Sequence, residues 1–182
     1  MLHTFVVYVE DKPGVLNRVS SLFRRRSYNI ESLAVGHTNQ PGVSRMTIVV
    51  DADDDSVARR IEANLYKLVN VLRVDDVTHK KAVSREMALV KVRAGREARS
   101  EIVQVADIFR ANIVDAAQES LVLEITGTTE KVERLINMLE PFEIISVQRT
   151  GTVAMLRGDS GVSPDPPAVA ATANGHGERT RA

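Results

Sequence analysis

The chain has 182 residues, 43% of them apolar and 26% charged, so it can bury one or two ordinary hydrophobic cores. Its 24 basic residues balance its 24 acidic residues, and it therefore lacks the broad positive field that attracts nucleic acids or anionic membranes. It contains no cysteine, which excludes disulfides, a thiolate nucleophile and sulfur-ligated zinc, and fits a cytoplasmic location.

The first part of the chain alternates strand and helix patterns. Met1 leads directly into a strand pattern without the features of a signal peptide, and no run has the roughly 18 apolar residues of a membrane span. β-Branched and aromatic residues predict a strand over residues 4–9, which ends at the turn signal Lys12-Pro13-Gly14. Apolar residues then recur at helical spacing and predict an amphipathic helix from Val15.

Two further strands and a second helix follow. Residues 30–38 and 44–51 are strand-like, and the segment 39–42 between them has the chemistry of a hairpin turn. The acidic segment Asp53-Asp54-Asp55 suits the positive end of a helix dipole and predicts the start of a second helix. Residues 71–77 are expected to close the unit as a fourth strand.

The same order of elements returns in the second half of the chain. It predicts strands at 86–92, 113–117, 121–126 and 142–148, and helices at 97–109 and 129–139. We therefore expect an α+β fold of two tandem ferredoxin-like βαββαβ sandwiches, each a four-stranded antiparallel sheet with both helices on one face. The expected domains are residues 1–79 and 84–157, and the composition of residues 158–182 predicts a disordered tail.

Both faces of the first sheet are partly apolar in sequence. In the first strand Phe5 and Val7 alternate with Val6 and Tyr8. Because the helices cover one face only, an apolar second face indicates a partner. We expect a homodimer through the N-terminal domain or docking onto another protein. The alternative is that the C-terminal unit covers this face within one chain.

The loop after the first strand and the start of the second strand carry groups that suit a free amino acid. Unpaired N–H groups at a helix start bind a carboxylate, and Gly14 leaves room for a ligand to approach the main chain. Asp11 and the side-chain oxygen of Asn29 can accept from an ammonium group. Leu16 and Ile30 can wall a small branched-aliphatic pocket.

From the residues alone, a plainer interpretation of this segment stays open. Pro13 and Gly14 can simply turn a strand into a helix, while Asn29 caps a turn. Longer stretches of sequence add a resemblance. Residues 11–16, read as Asp-Lys-Pro-Gly-Val-Leu, are similar to the ligand loop of ACT domains. Residues 28–33, 44–48 and 67–74 resemble the small subunits of acetohydroxyacid synthase, also called acetolactate synthase, and so do residues 85–92, 108–110 and 149–151 of the second unit.

The resemblance covers nearly residues 1–157 and implies a non-catalytic regulatory subunit. Such a subunit activates a separate catalytic large subunit and confers feedback inhibition by valine or another branched-chain amino acid. It implies no cofactor on this chain, with thiamine diphosphate, Mg and FAD on the catalytic subunit.

In that family the effector lies between the N-terminal domains of a dimer. The matching positions are Asp11, Gly14, Val15 and Leu16 of one chain and Asn29 and Ile30 of the other. Asp11 departs from members that have an amide there. A carboxylate holds an ammonium group more strongly, but it repels the carboxylate of the effector.

The other signals predict neither a metal site nor catalysis. The four histidines have no ligand-spaced companions, and no nucleophile–base motif or phosphate loop occurs. Two alternative functions stay open. One is a free-standing amino-acid-responsive regulator of another enzyme. The other is RNA binding, because RNA-recognition modules share this fold, although the stacking aromatic residues that they need make up only 4% of the chain.

Overall fold

The computed structural model describes residues 1–52 and 54–158, together with Pro166 and Val169. Its strands are β1 (Leu2–Glu10), β2 (Ile30–His37), β3 (Val43–Asp51), β4 (Val71–Asp76), β5 (Ala82–Arg93), β6 (Asn112–Ala116), β7 (Ser120–Gly127), β8 (Ile144–Arg149) and β9 (Val153–Leu156). Its helices are α1 (Val15–Arg25), α2 (Asp55–Leu65), α3 (Arg99–Phe109) and α4 (Thr129–Leu139). The antiparallel sheet orders β2-β3-β1-β4 and β6-β7-β5-β8 confirm the predicted pair of ferredoxin-like units.

Each sheet packs two helices against one face. In the first unit, Phe5 and Ile48 of the sheet join Phe23 of α1 and Ile61 of α2 in one buried cluster. An equivalent cluster in the second unit draws on β5, β7, α3 and α4. Burying each large apolar side chain stabilises the fold by roughly 1.5–3 kcal/mol, so each cluster stabilises its own unit.

The acidic start predicted for the second helix is confirmed by its cap. Asp54 accepts hydrogen bonds from the main-chain N–H groups of Ser56 at 2.7 Å and Val57 at 3.0 Å. The Ser56 side chain and these two N–H groups hold the pKa of Asp54 below its usual range. Asp53 lies outside the described residues.

Two predictions at strand ends were wrong. Phe142 was assigned to the last strand, but it ends a 3-10 turn (Glu140–Phe142) that begins beside Pro141, and β8 starts only at Ile144. Strand β5 begins at Ala82 rather than at residue 86, because its first four residues pair with β9. Sequence periodicity missed β9, since four residues are too few to show an alternation.

Strand β9 covers part of the outer face of the first sheet, which is the face without helices. Ala154 packs in one buried cluster with Val6 and Tyr8, and these two are only 3% and 6% exposed. The Nη2 group of Arg45 also donates to the carbonyl oxygen of Ala154. The C-terminal unit therefore covers this apolar face within one chain, as the alternative interpretation expected.

Strand β2 pairs with β3 alone among the described residues, which leaves its other edge open. An open edge presents unpaired N–H and C=O groups and is the usual place for a second chain to add. The tail predicted to be disordered, residues 158–182, lies outside the described residues except for Gly158, Pro166 and Val169. Val169 donates its N–H to the carbonyl oxygen of Pro41 at 3.2 Å, at the β2–β3 turn.

Candidate functional site

The loop between β1 and α1 is built around Gly14. Its φ of +83° lies in the left-handed region, which glycine adopts without the steric cost that a side chain brings. A Cβ placed on Gly14 would meet nothing within 4 Å. The glycine is thus required by its backbone conformation, and the space above it is open, as a ligand approaching the main chain needs.

The start of α1 leaves main-chain donors free. The first N–H groups of any α-helix lack an intrahelical acceptor, and no side chain of the described residues caps this end. The N–H of Val15 reaches the carbonyl oxygen of Lys12 at 3.3 Å. The following N–H groups, together with the helix dipole, favour an anionic group such as a carboxylate.

Asp11 places a carboxylate on the same loop. Its main-chain N–H donates to the carbonyl oxygen of Gly42 at 2.8 Å, which fixes the loop to the β2–β3 turn. Its side chain is about half exposed, and Oδ2 lies 3.3 Å from Nδ1 of His37 at the end of β2. The carboxylate is therefore accessible to an ammonium group, with the His37 imidazole beside it.

The two apolar residues of the loop have different roles. Leu16 is 43% exposed on the outer side of the first helical turn, where it can wall a ligand pocket. Val15 is only 4% exposed and packs in the core between α1 and the sheet. The contribution of Val15 to a site on this loop is therefore confined to its main chain.

Asn29 and Ile30 lie far from this loop within one chain. Ile30 stands in the same row of the sheet as His3, and His37 stands in the row of Val9, so β2 runs parallel to β1. The length of β2 between Ile30 and His37 is roughly 23 Å. Asn29 is exposed, and its amide donates to the carboxylate of Glu31, which leaves its oxygen free to accept. The six predicted residues therefore lie in two groups at opposite ends of the sheet.

A polar network behind the loop escaped the sequence analysis. The Asn70 side chain donates to Glu10 and accepts from Nη1 of Arg18 at 2.7 Å. The Nζ of Lys12 lies 3.1 Å from the same Glu10 carboxylate. The network connects the end of β1, the first turn of α1 and the start of β4. Sixty residues separate Glu10 from Asn70, so no local pattern could reveal it.

The structure also brings together two histidines that the sequence keeps far apart. The Nε2 of His79 lies 3.2 Å from Oδ1 of Asp55, and the Nε2 of His3 lies 3.9 Å from the same oxygen. Over the described ranges, no group of three histidine or acidic side chains is arranged to hold a metal ion. The two histidines lie next to the N-terminus of α2.

A cavity of about 490 Å³ lies between the two units. Arg149 lines it and donates to both Glu86 and Glu133, which ties the end of β8 to β5 and α4. Glu31 and Ser32 of β2 form the opposite wall. The start of β2, which carries Ile30, is therefore adjacent to the junction with the C-terminal unit.

Both units match models of one protein family. Residues 5–73 match the model described as an acetohydroxyacid synthase (AHAS) small subunit-like ACT domain. Residues 85–158 match the family described as the small subunit of acetolactate synthase. The chain belongs to the acetolactate synthase small-subunit family. The first unit is thus an ACT domain, and the resemblance inferred from the loop and strand sequences is confirmed.

Relatives in several organisms support this membership over most of the chain. The acetolactate synthase small subunit of Mycolicibacterium smegmatis is 50% identical over 160 residues, which is 88% of this chain and 94% of that protein. The Bacillus subtilis small subunit is 42% identical and covers 87% and 92%. The crystal structure of the Thermotoga maritima small subunit has a TM-score of 0.80 at 42% identity, over 87% of this chain and 99% of that one. In the described parts of the chain, no helix combines the length and apolarity that a membrane crossing needs.

Proposed function

We propose that this chain is a non-catalytic regulatory subunit that activates the catalytic large subunit of acetolactate synthase and makes it sensitive to valine or another branched-chain amino acid. Membership of the small-subunit family implies a catalytic partner. The observation that carries the proposal further is the loop at Gly14, where open space, free helix-start amides and the Asp11 carboxylate meet. Together these groups match the carboxylate and the ammonium of an amino acid.

The separation of the two groups of predicted site residues supports a dimer as the binding unit. Antiparallel pairing of two β2 edges about a twofold axis brings the start of one strand beside the end of the other. Asn29 of the partner subunit then stands near Asp11 and His37 of the first chain. A homodimer through the N-terminal domain therefore completes a site that one chain leaves divided.

The proposed effector is small and partly apolar. Leu16 from one chain and Ile30 from the other are the apolar walls, which suit a branched aliphatic side chain. The thiamine diphosphate, Mg and FAD of the reaction are proposed to bind the catalytic subunit rather than this chain. A free-standing regulator of another enzyme is disfavoured, because the C-terminal unit also matches the family.

The test is reconstitution of the chain with its catalytic subunit, with acetolactate formation measured with and without valine. We expect no acetolactate from this chain alone, a higher turnover of the catalytic subunit on mixing, and a loss of that turnover as valine is added. An absence of stimulation would remove the regulatory role. Stimulation without any response to branched-chain amino acids would support the activator role and contradict the proposed effector.

A further inference from the structure

The loop that carries Asp11 and Gly14 is held at both ends by one side chain. Asn70 precedes β4 and is only 9% exposed. Its carbonyl oxygen accepts from the N–H of Glu10 at 2.9 Å, and its side-chain amide donates to the Glu10 carboxylate. Its side-chain oxygen accepts from Nη1 of Arg18 at 2.7 Å. Both side-chain hydrogen bonds of Asn70 therefore go to residues that flank the loop, Glu10 on one side and Arg18 on the other.

These contacts fix the position of the helix start relative to the strand. Glu10 is the last residue of β1, and Arg18 lies in the first turn of α1, where its N–H bonds the carbonyl oxygen of Gly14 at 3.0 Å. Lys12, inside the loop, also reaches the Glu10 carboxylate. The free amides of α1 and the carboxylate of Asp11 are thereby held in one arrangement before any ligand arrives.

Asparagine is the residue that this position requires. The side chain must donate on one side, to a carboxylate, and accept on the other, from a guanidinium. Aspartate has no donor and would repel Glu10. Leucine has a similar volume but cannot hydrogen bond to Glu10 or Arg18. A charged group that loses a buried hydrogen-bond partner lowers the stability of the fold.

The electrostatics of Glu10 agree with this role. The hydrogen bond from Asn70, followed by the one from Lys12, holds the pKa of Glu10 below its usual range. The contribution of this carboxylate to stability is therefore present above its unfolded pKa and is lost as the pH falls through its lower folded pKa. At neutral pH it is ionised and accepts from both partners.

We propose that Asn70 is a positioning residue for amino-acid binding, which acts by pre-organising the loop through Glu10 and Arg18. The proposal rests on the effector function proposed for the loop. A pre-organised site loses less conformational entropy on binding, so release of the loop weakens affinity without removing any group that touches the ligand.

The variant Asn70→Leu tests the proposal in the reconstituted complex. Loss of the two side-chain hydrogen bonds is expected to raise the valine concentration for half-inhibition about tenfold. Asn64→Leu is the matched control, because Asn64 is also buried in this domain, at 5% exposed, but its oxygen accepts from Lys67 within the α2 region. It should lower stability without shifting the valine response.

Two further measurements separate positioning from general stability. The Glu10 carboxyl, followed by NMR titration, should return towards its usual pKa in Asn70→Leu and not in Asn64→Leu. Glu10→Gln keeps an acceptor for Asn70 and should retain a near-native valine response, whereas Glu10→Ala should not.

If Asn70→Leu does not fold, Arg18→Met removes the hydrogen bond between Arg18 and Asn70 by a change at an exposed position. It should shift the valine concentration for half-inhibition in the same direction.

The proposal fails if folded Asn70→Leu, or Arg18→Met in its place, gives the wild-type inhibition curve. It also fails if Asn64→Leu shifts that curve as far. Failure of the proposed function has a different signature, because the wild-type complex itself would then not respond to valine. In that case the Glu10 titration still decides whether Asn70 holds the loop.

Discussion

Thr152 donates its main-chain N–H to the Oγ of Ser32 at 2.9 Å, which joins the start of β9 to the edge strand β2. Gly151, the residue before it, has a φ of +78°, and a Cβ placed there would lie 2.7 Å from the same Oγ. The C-terminal unit thus touches β2 two residues beyond Ile30. The predicted site residues at the start of β2 and the junction between the units therefore share one short segment.

Gly151→Ala is predicted to destabilise the protein by about 2–3 kcal/mol, because it combines left-handed backbone strain with a steric conflict. Gly158→Ala is the control, since Gly158 also has a positive φ, of +65°, but open space around it, and should cost only about 1 kcal/mol. Thermal unfolding measures both. Adding Ser32→Ala to Gly151→Ala should recover part of the stability that Gly151→Ala loses. Equal losses of stability in Gly151→Ala and Gly158→Ala would contradict a contact at Ser32.

Removal of the C-terminal unit is predicted to expose the outer face of the ACT domain. A fragment of residues 1–79 loses Ala154 and Leu156 from the cluster that buries Val6 and Tyr8. We expect it to unfold at a lower temperature than residues 1–158 and to self-associate beyond a dimer, because an exposed apolar face promotes association. Sedimentation and thermal unfolding of the two fragments check this. A fragment that forms a clean dimer of unchanged stability would show that the cover is dispensable.

Gly14→Asp is predicted to uncouple inhibition from activation. The new carboxylate would stand where the effector's carboxylate meets the helix-start amides, and the backbone at +83° is strained for any side chain. Allosteric coupling is typically about 1–3 kcal/mol, so feedback can vanish while the larger subunit interface persists. The measurement is acetolactate formation against valine concentration, with circular dichroism as a folding check.

Gly158→Asp is the matched control for this change. It introduces the same charge at another positive-φ glycine with open space around it, away from the loop. It should leave the inhibition curve in place. A wild-type inhibition curve for folded Gly14→Asp would show that the effector does not bind at this loop.

The sequence predicted the order of elements well because helix and strand periods are local. The start of α2 after its cap, Asp54, and all of α4 followed from patterns within a few residues. The β5–β9 pairing and the Asn70 network did not, because each joins segments more than fifty residues apart.

The residues of the candidate site stay a prediction from the sequence, whereas their distances within one chain come from the fold. Composition of the loop indicated which groups suit an amino acid, and the structure places Asp11, Gly14 and Leu16 together. The separation between this loop and Ile30 depends on the parallel course of β1 and β2, which is a property of the sheet rather than of either strand.

Mixed dimers test most directly whether each amino-acid site takes its two halves from two chains. One chain carries Gly14→Asp and the other carries Asn29→Lys, which places a cation where the ammonium should bind. In the mixed dimer one site then receives both changes, and the other receives neither. We predict that each homodimeric variant binds valine poorly, whereas the purified mixed dimer regains one site of native affinity per dimer in titration calorimetry. A mixed dimer that binds no better than either homodimer would contradict a site shared between chains.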